Sequence, residues 1–207
     1  MLFNSFQFIF LFLPTVVFGF YFLSGQGLRH IALIWLVAAS LFFYGWWNPL
    51  YLWLIIASLI FNYSLGQILS GHVSSIQVIA PMSRKALLLI GLSTNLGALA
   101  YFKYANFFIH NTNILLGTEY NIKKIILPLA ISFFTFEQIA YLVDAYKKET
   151  KPYSFFSYSL FVTFFPQFIA GPIFHHSEIL PQFKDKKTYQ LDYTNLSVGL
   201  TLFVMGL

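Results

Sequence analysis

The stretch from Phe164 to Ile173, FFPQFIAGPI, decides how the chain is read, because it combines two properties that seldom occur together. It has no charged residue and only one polar residue, Gln167, which is typical of a segment inside a membrane. It also contains Pro166, Gly171 and Pro172, which interrupt helices. Non-helical backbone at membrane depth is tolerated only where protein buries it or where it lines a water-filled cavity. The stretch therefore predicts either a proline-kinked span or a broken or re-entrant segment beside a cavity.

The composition places the whole chain in a membrane. Of 207 residues, 58% are hydrophobic and 9% are charged, whereas soluble domains have about 25% charged residues. The absence of cysteine excludes disulfides and thiolate chemistry. The net charge of +5 comes from lysine and arginine in short loops, where anionic lipid headgroups are the expected partners. We expect no nucleic-acid partner.

The hydrophobic pattern predicts an all-α, multi-spanning transmembrane helical bundle with six to seven spans. About 20 apolar residues are needed to cross the hydrocarbon. A seventh segment begins near residue 197, and only eleven residues precede the end of the chain at Leu207. We therefore expect a truncated bundle whose last span is incomplete. The other predicted spans are 6–23, 31–47, 50–69, 86–109, 125–143 and 157–174.

The span 125–143 contains the most informative polar residues. Glu137 lies about 18 Å along the helix from Ile125 and about 10 Å from Asp144, so its short side chain reaches neither end. It is expected to line a cavity, to form an interhelical hydrogen bond or, as the third alternative, to face lipid. Gln138, Tyr141 and Asp144 follow Thr135 at intervals of three residues and form a drifting polar stripe. The stripe indicates either interhelical packing contacts or the lining of a substrate path.

Two further features have ordinary structural explanations beside functional ones. Lys103 lies near one end of its helix, where it can extend to the interface or contact a phosphate-bearing headgroup. His175 and His176 are adjacent, and adjacent residues point in different directions on any regular element. No Cys, Asp or Glu close to them in sequence completes a ligand set, so we predict interfacial loop histidines and no metal site.

Five segments of the chain are informative together: FNSFQFIFLFLP, SLFFYGWWNPLYLWLIIASLIFNY, KYANFF, LPLAISFFTFEQIAYLVDAYK and FFPQFIAGPIFHHSEILPQF. They resemble the membrane-bound O-acyltransferase family, in particular its alginate O-acetyltransferase branch. Each would be a weak signal alone, but the family order of all five makes the resemblance specific. Pro166, Gln167, Gly171 and Pro172 lie in the last segment and are candidates for lining the family's tunnel, together with Glu137 and the polar stripe.

The resemblance implies a helical fold around a funnel or tunnel, in which an acyl group, expected to be acetyl, passes to a hydroxyl of an exported polysaccharide such as alginate. The acyl donor, an acyl-CoA or an acyl carrier, would be a cosubstrate, and no bound cofactor is expected. Expected partners are membrane lipids and other polysaccharide-acetylation proteins, in the bacterial cytoplasmic membrane.

The family's catalytic histidine lies in a tryptophan- and arginine-rich stretch downstream of the GPI motif, and none of the five histidines here has that context. No catalytic residue is therefore assigned. Residues 1–207 are expected to be the N-terminal part of a single acyltransferase domain with no separate soluble domain, inactive alone.

Two other classes of function compete with this one. A secondary transporter also uses broken helices and intramembrane carboxylates, but the sequence shows no matching pair of discontinuous segments. A non-enzymatic membrane subunit that binds a partner protein would fit a chain without a catalytic group.

Overall fold

The computed structural model describes residues 2–71, 83–117, 125–168, 171 and 175–206. Within these ranges the chain is helical and contains no strand, which confirms the all-α prediction. It divides into two compact units, one formed by residues 1–53, 153–165 and 176–207 and the other by residues 54–152 and 166–175. In the order of the chain, the helices are α1 (Leu13–Gly25), α2 (Arg29–Trp47), α3 (Leu52–Ser70), α4 (Arg84–Leu116), α5 (Ile131–Lys147), α6 (Phe155–Thr163), α7 (Phe165–Phe168), α8 (His176–Gln182) and α9 (Tyr193–Gly206).

Four helical segments among the described residues are long and apolar enough to cross a membrane. They agree with the first four predicted spans to within a few residues, except that α4 continues through the predicted loop at 110–124 as far as Leu116. Asn48 and Pro49 lie between the predicted spans 31–47 and 50–69, and the Asn48 side chain accepts a hydrogen bond from the Leu50 amide at 3.0 Å. The four segments are Gln7–Gly25, Arg29–Trp47, Pro49–Ser70 and Arg84–Leu116.

The predictions for the fifth and sixth spans require correction. The fifth helix does not begin at residue 125, because Ala130 takes a left-handed conformation (φ 54°) two residues after Pro128 and the helix starts only at Ile131. The sixth predicted span, 157–174, is not one helix: α6 ends at Thr163 and α7 covers only Phe165–Phe168. The interruption of the sixth span agrees with the broken segment that was one of the two alternatives for FFPQFIAGPI, whereas the number of six to seven spans is not confirmed by the described residues.

The core of the first unit is built from aromatic residues at four-residue spacing. Phe8, Phe12, Val16 and Phe20 are buried along one face of a π-helical stretch, Gln7–Phe12, and the α1 helix that continues it. Phe43 of α2 packs against this face, with its ring centroid 5.9 Å from that of Phe8. A spacing of four residues places side chains on one helical face, so the spacing of the apolar residues from Phe8 to Phe20 builds this core directly.

The second unit is tied together at one end by Arg84, the first residue of α4. Its guanidinium donates to the backbone oxygens of Leu69 in α3 (2.8 Å) and Tyr146 in α5 (2.5 Å). It also lies 5.2 Å from the centre of the Tyr146 ring. The last carbonyls of a helix lack intrahelical partners, and a cation at a helix C-terminus is favourable. The end of α3, the start of α4 and the end of α5 therefore share one side, as successive membrane crossings require.

Asn106 makes the corresponding attachment near the other end of α4. Its side chain donates to the Ile125 oxygen at 2.6 Å and accepts from the Ile125 amide at 3.1 Å. Twenty-two residues separate Arg84 from Asn106, which is about 33 Å along a helix. That length is close to the thickness of the hydrocarbon core, about 30 Å.

Candidate functional site

A buried polar network joins α3, α4 and α5 in the second unit. The Gln138 side-chain oxygen accepts from the Ser58 hydroxyl at 2.6 Å and from the Asn62 amide at 2.5 Å. Gln138 has no exposed surface and Asn62 is 1% exposed. This arrangement is the interhelical packing contact that the polar stripe on α5 predicted as one of its two alternatives.

Asn62 and Asn95 extend the network to α4 as a reciprocal amide pair. The Asn95 amide donates to the Asn62 oxygen at 2.6 Å, and the Asn62 amide lies 3.2 Å from the Asn95 oxygen. Asn95 follows Arg84 by eleven residues, about 16 Å along α4. The pair therefore lies close to half the depth of a 30 Å hydrocarbon core, where polar groups are costly unless they find partners.

A cavity of about 220 Å³ adjoins this network, and residues of all three helices line it. Ser58, Asn62, Thr94, Asn95 and Thr135 contribute its polar lining. Thr135 is the first member of the stripe on α5, so one end of the stripe borders this cavity, whereas its role in a substrate path stays a prediction.

Tyr141, one turn after Gln138, is buried against α3 at Gly66. A β-carbon added at Gly66 would lie 2.8 Å from both the ring carbon and the hydroxyl oxygen at the end of Tyr141. The position accepts only glycine if this packing is kept, since a methyl group would overlap the ring. Tyr141 therefore fixes how closely α3 and α5 approach beside the network.

Glu137 is buried, with 1% exposure, and both carboxylate oxygens lack a hydrogen-bond partner among the described residues. The Glu137 side chain is therefore covered by protein and does not face lipid in the second unit. Glu137 and Asp144 are seven residues apart, which places them on nearly the same face of α5, about 10 Å apart along the axis. This face differs from the one that carries Thr135 and Gln138.

Asp144 binds His175. The His175 ring nitrogen Nε2 lies 2.6 Å from the Asp144 carboxylate, and the side chains are 44% and 13% exposed, respectively. The sequence argument considered only acidic residues close to His175 in the chain, and the partner comes instead from a helix 31 positions earlier. Pairing with a carboxylate fixes the orientation of an imidazole ring.

His176 has a different environment, in the first unit. It is 2% exposed, and its ring meets those of Tyr153 and Phe161 edge to face at centroid distances of 5.7 and 6.2 Å. Burial raises the pKa of Tyr153, which lies in the connection before α6. His176 is therefore a residue of an aromatic core, and the prediction of an exposed interfacial loop histidine does not hold for it.

The break in FFPQFIAGPI lies at Phe164, whose backbone is extended (ψ 107°). The backbone amide of Phe165 follows this break and donates to the hydroxyl oxygen of Ser40 in α2 at 3.3 Å. Buried backbone groups must find a partner, and here the partner is Ser40.

Past the break, the candidate lining residues lie in the second unit. Gln167 is buried and its carbonyl accepts from the Gly171 amide at 3.0 Å, whereas Pro166 is exposed. Phe168 stacks on Phe134 of α5 with a centroid distance of 6.3 Å. Pro172 lies outside the described residues.

The sequence argument missed Ser58, Asn62 and Asn95, although a signal for the two amides was present. Both lie in apolar surroundings within predicted spans, in LIFNYSLG and GLSTNLG. An intramembrane amide is expected to hydrogen-bond across helices, so the same rule that selected Gln138 would have selected its partners.

Comparison with known proteins defines the class to which this fold and site belong. The family model of the membrane-bound O-acyltransferases matches residues 84–207, and the chain belongs to that family. It is 43% identical over 234 aligned positions to a peptidoglycan O-acetyltransferase of Helicobacter pylori, covering all of this chain and 43% of that protein.

Two further relatives are named probable alginate O-acetylase AlgI. The chain is 36% identical to the one from Pseudomonas putida and 34% identical to the one from Pseudomonas aeruginosa. Each match covers all of this chain and 41% or 38% of the relative, respectively. The chain thus spans about two fifths of the length of these proteins. No solved structure shows significant similarity to it.

Proposed function

We propose that this chain is the N-terminal, membrane-embedded part of an O-acetyltransferase that modifies hydroxyl groups of a polysaccharide of the bacterial cell envelope. The observation that carries the proposal is the similarity of the whole chain to proteins named for O-acetylation of peptidoglycan and of alginate. The identity to the peptidoglycan enzyme, 43%, exceeds that to the alginate proteins cited above, which favours peptidoglycan as the acceptor.

The reaction proposed is transfer of an acetyl group from a thioester donor, an acyl-CoA or an acyl carrier. The acceptor hydroxyl oxygen attacks the acetyl carbonyl carbon, the carbon–sulfur bond breaks, and the hydroxyl proton ends on the thiol that leaves. General-base assistance to the hydroxyl is the contribution expected of a catalytic histidine. We assign that role to no residue of this chain.

The described residues support a location inside the membrane for the path of the reactants. A polar network and a cavity lie about a third of the way along α4, close to half the depth of a 30 Å hydrocarbon core. Glu137 of α5 is buried without a hydrogen-bond partner among the described residues. Four helices of spanning length support multi-pass insertion, and we propose the bacterial cytoplasmic membrane as the location. Lipids and further polysaccharide-acetylation proteins are the proposed partners.

The test is deletion of the gene, followed by measurement of base-labile acetate in purified peptidoglycan and, separately, in secreted polysaccharide. We expect the acetate of peptidoglycan to fall and to return when the gene is restored. Loss confined to the secreted polymer would move the acceptor to an alginate-like polysaccharide. Unchanged ester content in both polymers would refute O-acetyl transfer.

A matched pair of restored genes then tests the path inside the membrane. Glu137→Gln keeps the shape of the side chain and removes its charge, and we expect it to restore less acetate than Asn111→Ala. Asn111 lies on α4, where its side chain donates to the Phe107 carbonyl of the same helix and to no other described residue. Equal restoration at equal protein levels would show that Glu137 does not border the path.

A further inference from the structure

Five exposed basic residues gather at one end of the second unit, where α3 ends, α4 begins and α5 ends. Arg84 holds these helix ends together through its bonds to the Leu69 and Tyr146 carbonyls. Lys85 follows it directly, and the last of the five lies three residues after Lys148, which is at most about 11 Å along the chain. We call this group the basic rim. Its members are Arg84, Lys85, Lys147, Lys148 and Lys151.

The charge of the basic rim is not neutralised within the unit. None of its members forms an ion pair with a carboxylate of a described residue. Two acidic residues lie at the same end, but Asp144 binds His175, and Glu149 is exposed and pairs with no described cation. The rim therefore keeps a surplus of positive charge.

The stability of the helices accounts for only part of this charge. The C-terminal end of a helix dipole is negative, so it favours Lys147 and Lys148 at the end of α5. The positive end of the α4 dipole lies at Arg84 and Lys85, where it disfavours cations. Two carbonyl oxygens compensate Arg84, whereas the Lys85 side chain has no hydrogen bond or ion pair with a described residue. What the rim lacks is therefore an anion from outside the unit.

The basic rim lies at the level of the lipid headgroups. Arg84 and Asn106 are about 33 Å apart along α4, close to the thickness of the hydrocarbon core, so each marks one boundary of that core. Lysine side chains keep their apolar stems along such a boundary and extend their ammonium groups into the headgroup layer. The anion available at this level is the phosphate of a lipid headgroup, which its own acyl chains hold in place. A lipid with a net negative charge, such as phosphatidylglycerol, leaves that phosphate uncompensated.

We propose that the basic rim is a binding site for the phosphate of an anionic lipid headgroup. Lys85 at the start of α4, together with Lys147 and Lys151 at and beyond the end of α5, supplies the ammonium groups, and Arg84 holds the two helix ends in place between them. The site selects lipids with a net negative charge over zwitterionic ones. No step of the proposed acetyl transfer depends on it.

The chain has no cysteine, so a single introduced thiol carries the reporter. Leu89→Cys places a fluorophore one turn along α4 from Lys85, at a position where the side chain is 54% exposed. The protein is reconstituted in vesicles of equal parts phosphatidylglycerol and phosphatidylcholine, and one lipid or the other carries brominated acyl chains, which quench the fluorophore on contact. Brominated phosphatidylglycerol should quench more strongly, and the ratio of the two effects measures the preference for the anionic headgroup.

Neutral variants of the rim then test which residues create the preference. A basic residue near an anionic surface contributes about a fivefold preference, so Lys151→Gln should lower the ratio by about that factor, and the addition of Lys147→Gln should lower it again. Lys147→Arg with Lys151→Arg keeps the charge and should keep the ratio. Lys103→Gln is the matched control, because it removes one lysine about 27 Å along α4 from Lys85. If the double glutamine variant does not fold, Lys85→Gln replaces it.

A ratio that falls with the glutamine variants of the rim, and not with Lys103→Gln, supports the proposal. Equal quenching by both lipids before any lysine is replaced, or an equal fall with Lys103→Gln, refutes it. Excess inorganic pyrophosphate at constant ionic strength separates the two sources of phosphate: if it abolishes the preference, the rim is a site for a soluble phosphate and the lipid proposal is refuted. The measurement needs no polymer, so the fate of polymer acetate on gene deletion leaves its result unchanged.

Discussion

Replacing Asn62 by alanine tests whether the polar network holds the second unit together. The substitution removes three interhelical hydrogen bonds: one to Gln138 at 2.5 Å and two exchanged with Asn95 at 2.6 and 3.2 Å. Hydrogen bonds between membrane helices average about 0.6 kcal/mol, with a maximum near 1.7. The expected loss in free energy of unfolding is therefore about 2 kcal/mol.

The assay is equilibrium unfolding in mixed detergent micelles, followed by circular dichroism. Asn111→Ala is the control, since it removes the same side chain from a site where, among the residues that the structure describes, the amide bonds within its own helix. We expect its effect to stay within about 0.5 kcal/mol, as is usual for substitutions away from packed features.

A double-mutant cycle isolates the amide pair. Asn62→Ala and Asn95→Ala share two hydrogen bonds, so their effects should fall short of additivity by about 1 kcal/mol. Full additivity, or a loss for Asn62→Ala no larger than for Asn111→Ala, would show that the network contributes nothing to stability and would refute the reasoning.

Three other substitutions test separate features by the same unfolding measurement. Gly66→Ala should lower the free energy of unfolding by about 1–3 kcal/mol, because the added methyl group overlaps the ring of Tyr141. Gly97→Ala is the control: there the added carbon meets open space, so the change should be neutral or stabilising by up to about 1 kcal/mol. Similar losses at both glycines would contradict the packing argument. Arg84→Ala should cost about 1 kcal/mol, because a cation at helix C-termini is lost, and Arg84→Lys should recover only part of it because lysine lacks the forked donors. Asp144→Ala should cost at most about 1 kcal/mol because its partner is nearly half exposed, and a loss that persists in high salt would argue against an ion pair.

The chain's periodic features were predictable from the sequence, whereas its pairings were not. Apolar runs located four helices of spanning length, and the three-residue spacing located the polar stripe on α5. Periodicity shows which residues of one helix share a face, but it does not identify the opposite helix. The partners of Gln138 are 80 and 76 positions away in the chain.

The break in FFPQFIAGPI is a second case in which the sequence predicted a local feature but not its partner in the fold. Pro166 and Gly171 predicted that the sixth span would not continue, and α6 ends at Thr163. Gln167 is the polar residue of this stretch and the obvious local candidate to bind the freed backbone groups. The Phe165 amide instead finds Ser40, 125 positions earlier, a contact that only tertiary packing creates.

The helix start at Ile131 was missed for a local reason. Apolar content alone extended the predicted span back to residue 125, although Pro128 lies in that stretch. Proline disfavours helical geometry in the residue before it, so this boundary was available from the sequence. A composition rule was applied where a backbone rule should have decided.

The length of α4 has a consequence for whatever approaches this protein from outside the lipid. Its 33 residues make a rod about 50 Å long, and hiding such a rod in 30 Å of hydrocarbon needs a tilt of roughly 53°, beyond the range of about 0–40° seen for membrane helices. Because Arg84 is anchored at one membrane surface, the turns of α4 beyond Asn106 project from the opposite surface. A polymer or protein that approaches this second surface reaches the end of α4 before it reaches the bilayer.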